Sequence, residues 1–268
     1  MISLALLFSL IMSCAADTHE GYTHLACDVK PIKRASRKHL FDTTVSSNNW
    51  CGYVAAPSLI NPVLHKVTEV EGAWIVPNVV AVGENTSCSV WVGIDGAGSR
   101  TVEQLGTEHD WSNGQEVHYA WYEMFPAGSN QIVGFPVEVG DSISASVTYD
   151  PLTSFMPASQ NLFILEIMNH TKKVYSIIPC IAPAILDRVC AEWIVEAPWL
   201  NQTLPLSDFT VIYLSGCTCS INGIKGAINN PAWSCEAMNM IAPEGTTKAL
   251  ASALSPDGSS FSVSWMHV

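Results

Sequence analysis

The chain has 268 residues, of which 48% are hydrophobic and only 13% charged, and its formal net charge is −12. This size fits one large all-β domain or two ordinary domains, with ample apolar material for a core. The acidic balance argues against nucleic acid as a partner. It suits a protein that works in acid, where protonated carboxylates no longer repel one another.

The first segment is apolar from residue 2 to residue 12, and small residues follow as far as Ala16. This pattern is typical of a secretory signal, so we expect residues 1–16 to be removed and the protein to be secreted. A loose lipoprotein cleavage pattern at Cys14 leaves lipid anchoring as a less favoured alternative. No later apolar run reaches the roughly 20 residues that span a bilayer.

A basic leader precedes an acidic body. Residues 17–44 carry five bases against four acids, whereas residues 45–268 carry seven bases against twenty acids. The leader could be a removable pro-segment that charge complementarity holds on an acidic cleft. A flexible, solvated linker explains the same composition equally well. We expect the body to be one domain.

Eight cysteines follow Cys14, and an even count in an exported protein suggests disulfides whose pairing cannot be read from the sequence. They are Cys27, Cys51, Cys88, Cys180, Cys190, Cys217, Cys219 and Cys235. The run Glu108, His109, Asp110 suggests a metal site, but adjacent residues of an extended chain point to opposite sides. We therefore expect neither a metal nor a cofactor.

The body is rich in short segments of β-branched and aromatic residues, separated by turn residues such as Asn113-Gly114. Strands are predicted at 72–76, 88–94, 117–125, 142–149, 162–168, 173–178, 191–196, 209–214 and 261–265. Helical periodicity is absent, and regular short strands favour a β-sandwich. Residues 216–247 are predicted to form long loops.

Glu192 is an acid within a strand-like segment. Strand alternation puts Glu192, Ile194 and Glu196 on one side. A carboxylate on a half-buried sheet face is costly unless it is paired, hydrogen-bonded or protonated. Glu192 is therefore a candidate for acid–base chemistry, and a structural ion pair is the ordinary alternative.

The same alternation groups polar with aromatic residues elsewhere. It groups Trp91 with Gly93 and Asp95, Gln104 with Val102 and Gly106, and Glu123 with Trp121 and Phe125. Each segment could present a polar group and an aromatic wall to one concave surface. Strand aromatics usually pack a core, however, and Asp95 before Gly96 could be a simple turn residue.

Six motifs occur in order: SNNWCG at 47–52, WVGIDG at 91–96, QLG at 104–106, DW at 110–111, WYEMFP at 121–126 and AEWIVE at 191–196. Together they closely resemble the glutamic peptidases, or eqolisins, from about Ser46 to the C-terminus. The resemblance implies a concanavalin-like, all-β sandwich of two antiparallel sheets that carries a dyad, here Gln104 and Glu192. It also implies an acid-acting endopeptidase that cleaves proteins or peptides without a metal or cofactor, and a monomer is expected.

In the implied mechanism, Glu192 deprotonates the attacking water and Gln104 stabilises the oxyanion. By the same resemblance, the residues that line the cleft or position the dyad are Trp50, Trp91, Asp95, Asp110, Trp121, Glu123 and Phe125. The chain departs from the family pattern at Tyr119, where an acid is common, and at Phe125, where the type members have tyrosine. Substrate preference and pH optimum therefore stay open.

Two other classes fit the same residues. A glycoside hydrolase would use Glu123 and Glu192 as paired carboxylates, which must lie about 5–9.5 Å apart. A non-catalytic module would bind carbohydrate or peptide on its tryptophans. The position of Gln104 relative to Glu192 separates these alternatives from a peptidase.

Overall fold

A computed structural model describes residues 19–33, 46–150, 161–182 and 186–267. The predicted signal peptide with Cys14, and residues 34–44 of the leader, lie outside the described residues. All regular structure in the described part is β, which confirms the predicted all-β class. None of the described residues forms a helix with the length and apolarity needed to cross a membrane.

The described residues form nineteen strands. They are β1 (Thr23–His24), β2 (Asp28–Pro31), β3 (Ser46–Ser47), β4 (Trp50–Ala56), β5 (Val67–Ile75), β6 (Asn85–Thr86), β7 (Ser89–Asp95), β8 (Val102–Ser112), β9 (Gln115–Phe125), β10 (Asn130–Val133), β11 (Ser142–Asp150), β12 (Leu162–Asn169), β13 (Val174–Ile181), β14 (Ala191–Glu196), β15 (Val211–Ile221), β16 (Ile224–Ala227), β17 (Ser234–Ile241), β18 (Thr247–Ala251) and β19 (Phe261–Trp265). Each of the nine predicted strand segments overlaps one of them.

The prediction of long loops over residues 216–247 is wrong, because β15 runs on to Ile221 and is followed by β16 and β17. Cys217, Cys219 and Ile221 are buried while the residues between them are more exposed, which is a strand's period of two. Asn222-Gly223 then makes a two-residue turn in which both residues have positive φ. Asn-Gly favours a two-residue hairpin turn, so this hairpin could have been predicted from the sequence.

Hydrogen bonds join the strands into two ladders that share one strand. The first ladder has the order β2, β10, β9, β8, β7, β14, β4, β17, with every neighbour antiparallel. The second has the order β1, β13, β12, β11, β5, β15, β19, β18, β17. Because β17 pairs in both, the strands form one large mixed sheet. The finer prediction of a sandwich of two separate sheets stays a prediction.

One face of the first ladder packs against β5 of the second and forms the main apolar core. The Trp74 indole on β5 donates to Thr107 Oγ1 on β8 at 2.8 Å. The Trp193 indole on β14 donates to the Glu71 carbonyl on β5, also at 2.8 Å. We call the side of the first ladder that packs against β5 the core face, and we call its opposite side the site face.

Residues 19–33 of the leader add one strand to the outer end of each ladder. Strand β1 pairs in parallel with β13, and β2 pairs antiparallel with β10. The Ile32 amide then donates to the Ser129 carbonyl at 3.0 Å, and the Ile32 side chain packs against the aromatic cluster of the site face. This part of the leader is therefore docked on the body.

The eight cysteines of the described residues all carry free thiols, so the predicted disulfides are not confirmed. Burial raises the pKa of the Cys51 and Cys180 thiols to about 12, which keeps both protonated at acid and neutral pH. Such thiols behave as small apolar core groups with a weak donor.

Candidate active site

The first ladder places Glu192 and Gln104 in one transverse row on the site face. Glu192 of β14 pairs with Gly93 of β7, Gly93 pairs with Gln104 of β8, and Gln104 pairs with Glu123 of β9. Residues directly opposite one another across neighbouring strands share a face. The side chains of Glu192, Gln104 and Glu123 are fully buried, and only a glycine separates Glu192 from Gln104.

Gly93 keeps the space between the two residues open. A Cβ atom at this position would lie 3.0 Å from Trp91 Cζ3 and 3.2 Å from Gln104 Cβ. A residue with any side chain would therefore crowd both the tryptophan and the glutamine. Glycine at this point lets the Glu192 and Gln104 side chains approach a common volume from either side.

The two oxygens of the Glu192 carboxyl have different surroundings. Oε1 accepts the Ala97 backbone N–H at 2.7 Å and the Cys190 thiol at 3.4 Å. Oε2 is buried and has no hydrogen-bond partner within the described residues. A Cβ on Gly96 would lie 2.8 Å from Oε2. Oε1 thus fixes the carboxyl, and Oε2 is the oxygen left for a water molecule or a substrate.

Burial raises the pKa of Glu192 well above its ordinary value. The Ala97 N–H and the Cys190 thiol act in the opposite direction, since both stabilise the carboxylate, while the charges of Asp95 and Glu196 raise the pKa further. With the site buried as it is here, Glu192 is a protonated acid under acidic conditions. Ionisation at low pH requires access of water to the carboxyl.

Glu123 orients the Gln104 amide. Gln104 Nε2 donates to Glu123 Oε2 at 2.6 Å, and Gln104 Oε1 is buried without a hydrogen-bond partner in the described part of the chain. An amide nitrogen carries two hydrogens, so one N–H remains after the bond to Glu123. Gln104 therefore has both a donor and an acceptor to offer a ligand.

The predicted aromatic residues lie together on the site face. Trp91 and Trp121 share the next transverse row, with Gly106 between them. The Trp50 and Trp91 rings meet edge to face at 5.1 Å between centroids. All three tryptophans belong to one buried cluster, against which Phe125 packs from the side. These four aromatic residues thus lie on the same face as Glu192 and Gln104.

Asp95 is a buried anchor and does more than form a turn. Its carboxylate oxygens accept the backbone N–H groups of Arg188 at 2.6 Å and Val189 at 2.7 Å, while its own N–H donates to the Cys190 carbonyl at 3.0 Å. Burial raises the pKa of Asp95 to about 6 against these stabilising N–H groups. Asp95 thus fastens the segment that leads into β14 and Glu192.

Asp110 lies on the site face but apart from the dyad. It is six residues beyond Gln104 on β8, about 20 Å along a strand. Between them, Glu108 accepts from Ser89 on the site face, whereas His109 contacts Thr107 on the core face. Among the described residues no group of three or more His, Cys, Asp or Glu side chains could hold a metal ion.

Glu196 also belongs to this site, although only strand alternation, which groups it with Glu192, pointed to it in the sequence. Glu196 Oε1 accepts the Asn49 side-chain amide at 3.0 Å, and Oε2 accepts the Trp91 indole N–H at 2.8 Å. The second bond fixes the Trp91 ring beside the dyad. The contacts of Ala97 and Cys190 with Glu192 depend on loop geometry, which no local pattern reveals.

A buried glutamate and a buried glutamine thus flank one glycine on a tryptophan-lined face of an all-β chain, which is the arrangement that the resemblance to the glutamic peptidases implies. The model of the Peptidase A4 family matches residues 48–265. The chain belongs to this family.

Relatives and solved structures agree with this assignment. Aspergillopepsin-2 of Aspergillus niger is 29% identical over 173 residues, which are 56% of each protein. Scytalidopepsin B of Scytalidium lignicola is 39% identical over 80 residues, or 30% of each. The chain therefore matches just over half of the first relative and under a third of the second. Scytalido-glutamic peptidase, crystallised with a transition state analog inhibitor, superposes with a TM-score of 0.65 at 22% identity, over 82% of this chain and 99% of that one. This likeness shows the fold.

Proposed function

We propose that the protein is a secreted, acid-acting endopeptidase whose dyad is Glu192 and Gln104. One observation carries the proposal. Glu192 Oε2 and Gln104 Oε1 are buried polar atoms without hydrogen-bond partners in the described residues, and their side chains flank Gly93 in one row. Buried polar atoms of this kind are costly unless a ligand or water satisfies them. A water molecule bound by both oxygens, next to a peptide carbonyl, meets this requirement.

The reaction needs no group beyond these two side chains. Glu192 Oε2 takes a proton from the water as its oxygen attacks the peptide carbonyl carbon, and it returns that proton to the nitrogen as the C–N bond breaks. The remaining N–H of Gln104 donates to the oxyanion of the tetrahedral intermediate. Glu123 positions the Gln104 amide through their 2.6 Å hydrogen bond. No metal or cofactor takes part.

The leader is proposed to be a pro-segment over residues 17–44 that follows a signal peptide at 1–16, with residues 45–268 as the peptidase domain. Strand β2 and Ile32 dock beside the site, and the dyad is fully buried while the leader is in place. Burial holds Glu192 protonated, which is inactive for a general base. Removal of the leader and entry of water would return its pKa towards the ordinary value near 4.3.

The other predicted residues have two proposed tasks. Trp50, Trp91, Trp121 and Phe125 form the walls against which substrate side chains pack, and Asp110 lies at the far end of the same face. Asp95 and Glu123 position the dyad. We interpret the two ladders as the two layers of a concanavalin-like sandwich joined at β17, and we expect an active monomer.

The test is digestion of a denatured protein across the acid and neutral pH range by the full chain after incubation in acid. We expect Glu192→Gln to lower kcat/KM by about 10³-fold or more, because it removes the base. Gln104→Ala should lower it by about 10²–10³-fold through loss of the oxyanion donor.

The matched control is Glu236→Gln. Glu236 is exposed on β17 and belongs to the same row, two strands from Glu192, so this variant should retain full activity. Circular dichroism establishes that each variant is folded. Full activity of folded Glu192→Gln would refute the proposal. N-terminal sequencing after acid incubation tests the pro-segment, which requires a new N-terminus close to residue 45.

The geometry does not favour a glycoside hydrolase. Glu123 lies three strands from Glu192, so their Cα atoms are about 14 Å apart at the usual strand spacing, and the Glu123 carboxylate accepts a hydrogen bond from the intervening Gln104. Paired carboxylates of glycosidases lie about 5–9.5 Å apart. Sugar release that is indifferent to Gln104→Ala would reverse this conclusion. Intact protein substrate after long acid incubation, with measurable ligand binding, would support a binding module.

A further inference from the structure

Cys190 is a fully buried thiol in direct contact with the proposed base. It lies two residues before Glu192, so the two side chains are on the same side of the extended segment. Its Sγ atom is 3.4 Å from Glu192 Oε1 and 3.3 Å from the Ala97 carbonyl oxygen. These distances suit S–H donation to either oxygen. None of the roles assigned above requires a sulfur atom at this position.

The thiol has one proton and two acceptors within reach. A carboxylate is the stronger acceptor of the two, because a hydrogen bond to a charged group exceeds one to a neutral carbonyl. When Glu192 is protonated, this advantage disappears and the Ala97 carbonyl competes for the S–H. The direction of the thiol proton therefore depends on the charge of Glu192.

We propose that Cys190 is a positioning residue for Glu192, whose S–H donates to Oε1 when the carboxyl is ionised and to the Ala97 carbonyl when it is protonated. This inference rests on the proposed role of Glu192. The S–H and the Ala97 N–H together fix Oε1, and Oε2 remains the reacting oxygen. Cys190 thereby stabilises the ionised base and extends its working range towards lower pH.

Cys190 serves as a donor and not as a nucleophile. Burial, followed by the charge of Glu192, raises the pKa of the thiol well above its ordinary value. The thiolate, which is the nucleophilic form, is therefore suppressed throughout the acid range. A hydroxyl at the same position would be a stronger donor, and a methyl group would be none.

The different donor strengths of a thiol, a hydroxyl and a methyl group at position 190 can be tested through the pH profile of kcat/KM. Cys190→Ala should move the acid limb, where Glu192 ionises, upward by about half a pH unit, because the carboxylate loses a donor. Cys190→Ser should move the same limb downward by a similar amount. A structural role alone would lower activity at every pH and leave the limb in place. An unmoved limb, or a shift of both variants in one direction, would overturn the proposal.

The matched control is Cys51→Ala. Cys51 is equally buried and pairs with Val195 of β14, but it lies on the core face. This variant should lose thermal stability without a shift of the acid limb. A shift equal to that of Cys190→Ala would mean that general loosening of β14 is the cause and would overturn the proposal.

A second readout requires no peptidase activity, so it separates failure of this inference from failure of the proposed function. The S–H infrared band of Cys190 is assigned in the full chain as the band lost in Cys190→Ser. It should move to lower frequency when the carboxyl ionises, and this movement should be absent in Glu192→Gln. A band that does not respond to pH, or that responds equally in Glu192→Gln, would refute the assignment even if wild type cleaves peptides.

Discussion

The two faces of the first ladder carry opposite chemistry on the same strands. On β14 and β8 the core face presents Trp193 and Leu105, which lie in the main apolar cluster, while the site face presents Glu192 and Gln104. All four side chains are fully buried. Burial alone therefore does not distinguish the faces. The faces differ in the chemistry of these side chains: Trp193 and Leu105 are apolar, whereas Glu192 Oε2 and Gln104 Oε1 are polar atoms without hydrogen-bond partners in the described residues.

The polar residues of the core face include Glu103 and His109, which are fully buried and respond to pH in opposite directions. Burial, reinforced by the charge of Asp95, raises the pKa of Glu103 well above its ordinary value. Burial, with the neighbouring His118, lowers the pKa of His109 well below its ordinary value. One group is therefore neutral in acid and the other is neutral at neutral pH. Separate variants on each face can test these assignments.

The largest expected effect is a loss of stability as pH rises. Asp95, Glu103 and Glu192 all have raised pKa values in the folded chain. Their contribution is fully present below their unfolded pKa values near 4 and is lost as pH rises through the folded values. The rise of the Asp95 pKa to about 6 corresponds to a loss of about 3 kcal/mol of unfolding free energy as pH rises.

Denaturant unfolding of the full chain at pH values between about 4 and 7 measures this loss. Glu103→Gln should make the unfolding free energy fall less steeply as pH rises. Cleavage by the folded enzyme should persist, since the Glu103 side chain is on the core face. Glu192→Gln should likewise make the unfolding free energy fall less steeply with pH, and it should also remove peptidase activity. A stability that is constant or increases over this range would contradict the assignment of buried, protonated carboxyls.

The next effect comes from a pair of glycines that are crowded to a similar degree on the two faces. A Cβ at Gly93 meets Trp91 at 3.0 Å, and a Cβ at Gly72 meets Trp193 at 3.0 Å. Gly93→Ala should lower kcat/KM by about 10²-fold, because small displacements of catalytic groups have effects of this size. Gly72→Ala should lower the melting temperature and leave the kcat/KM of the folded enzyme unchanged. Equal effects on kcat/KM would show that the two faces are not independent.

The sequence predicted the all-β class, and strand alternation placed Glu192 with Glu196 and Gln104 with Gly106 correctly. The ordered motifs indicated the family, because they contain the polar and aromatic residues of the strands that form the site. The hairpin at Asn222-Gly223 was also predictable, because Asn-Gly favours a two-residue turn between strands. By contrast, the contacts that set the two Glu192 oxygens apart come from Ala97 and Cys190. They depend on how a loop returns over the sheet, which is a tertiary property.

The smallest effect concerns His109 on the core face. Its ring nitrogens contact Thr107 Oγ1 at 2.9 Å and His118 Nδ1 at 3.0 Å, and Thr107 also accepts from the Trp74 indole. A lowered folded pKa means that stability is fully present above the unfolded value near 6.5 and is lost as pH falls below it. The pH dependence of stability due to His109 is therefore opposite in sign to that of the buried carboxyl groups.

His109→Gln should be less stable than wild type at neutral pH by about 1 kcal/mol, through loss of ring hydrogen bonds. This deficit in stability should shrink or reverse as pH falls towards 4. Acid favours the unfolded state of wild type, in which His109 is protonated, whereas glutamine does not titrate. Unfolding free energies of both proteins across this range measure the difference, and His267→Gln, at an exposed position, is the control. A deficit independent of pH would mean that His109 does not resist protonation. The acid stability of the fold would then depend on its carboxyl groups alone.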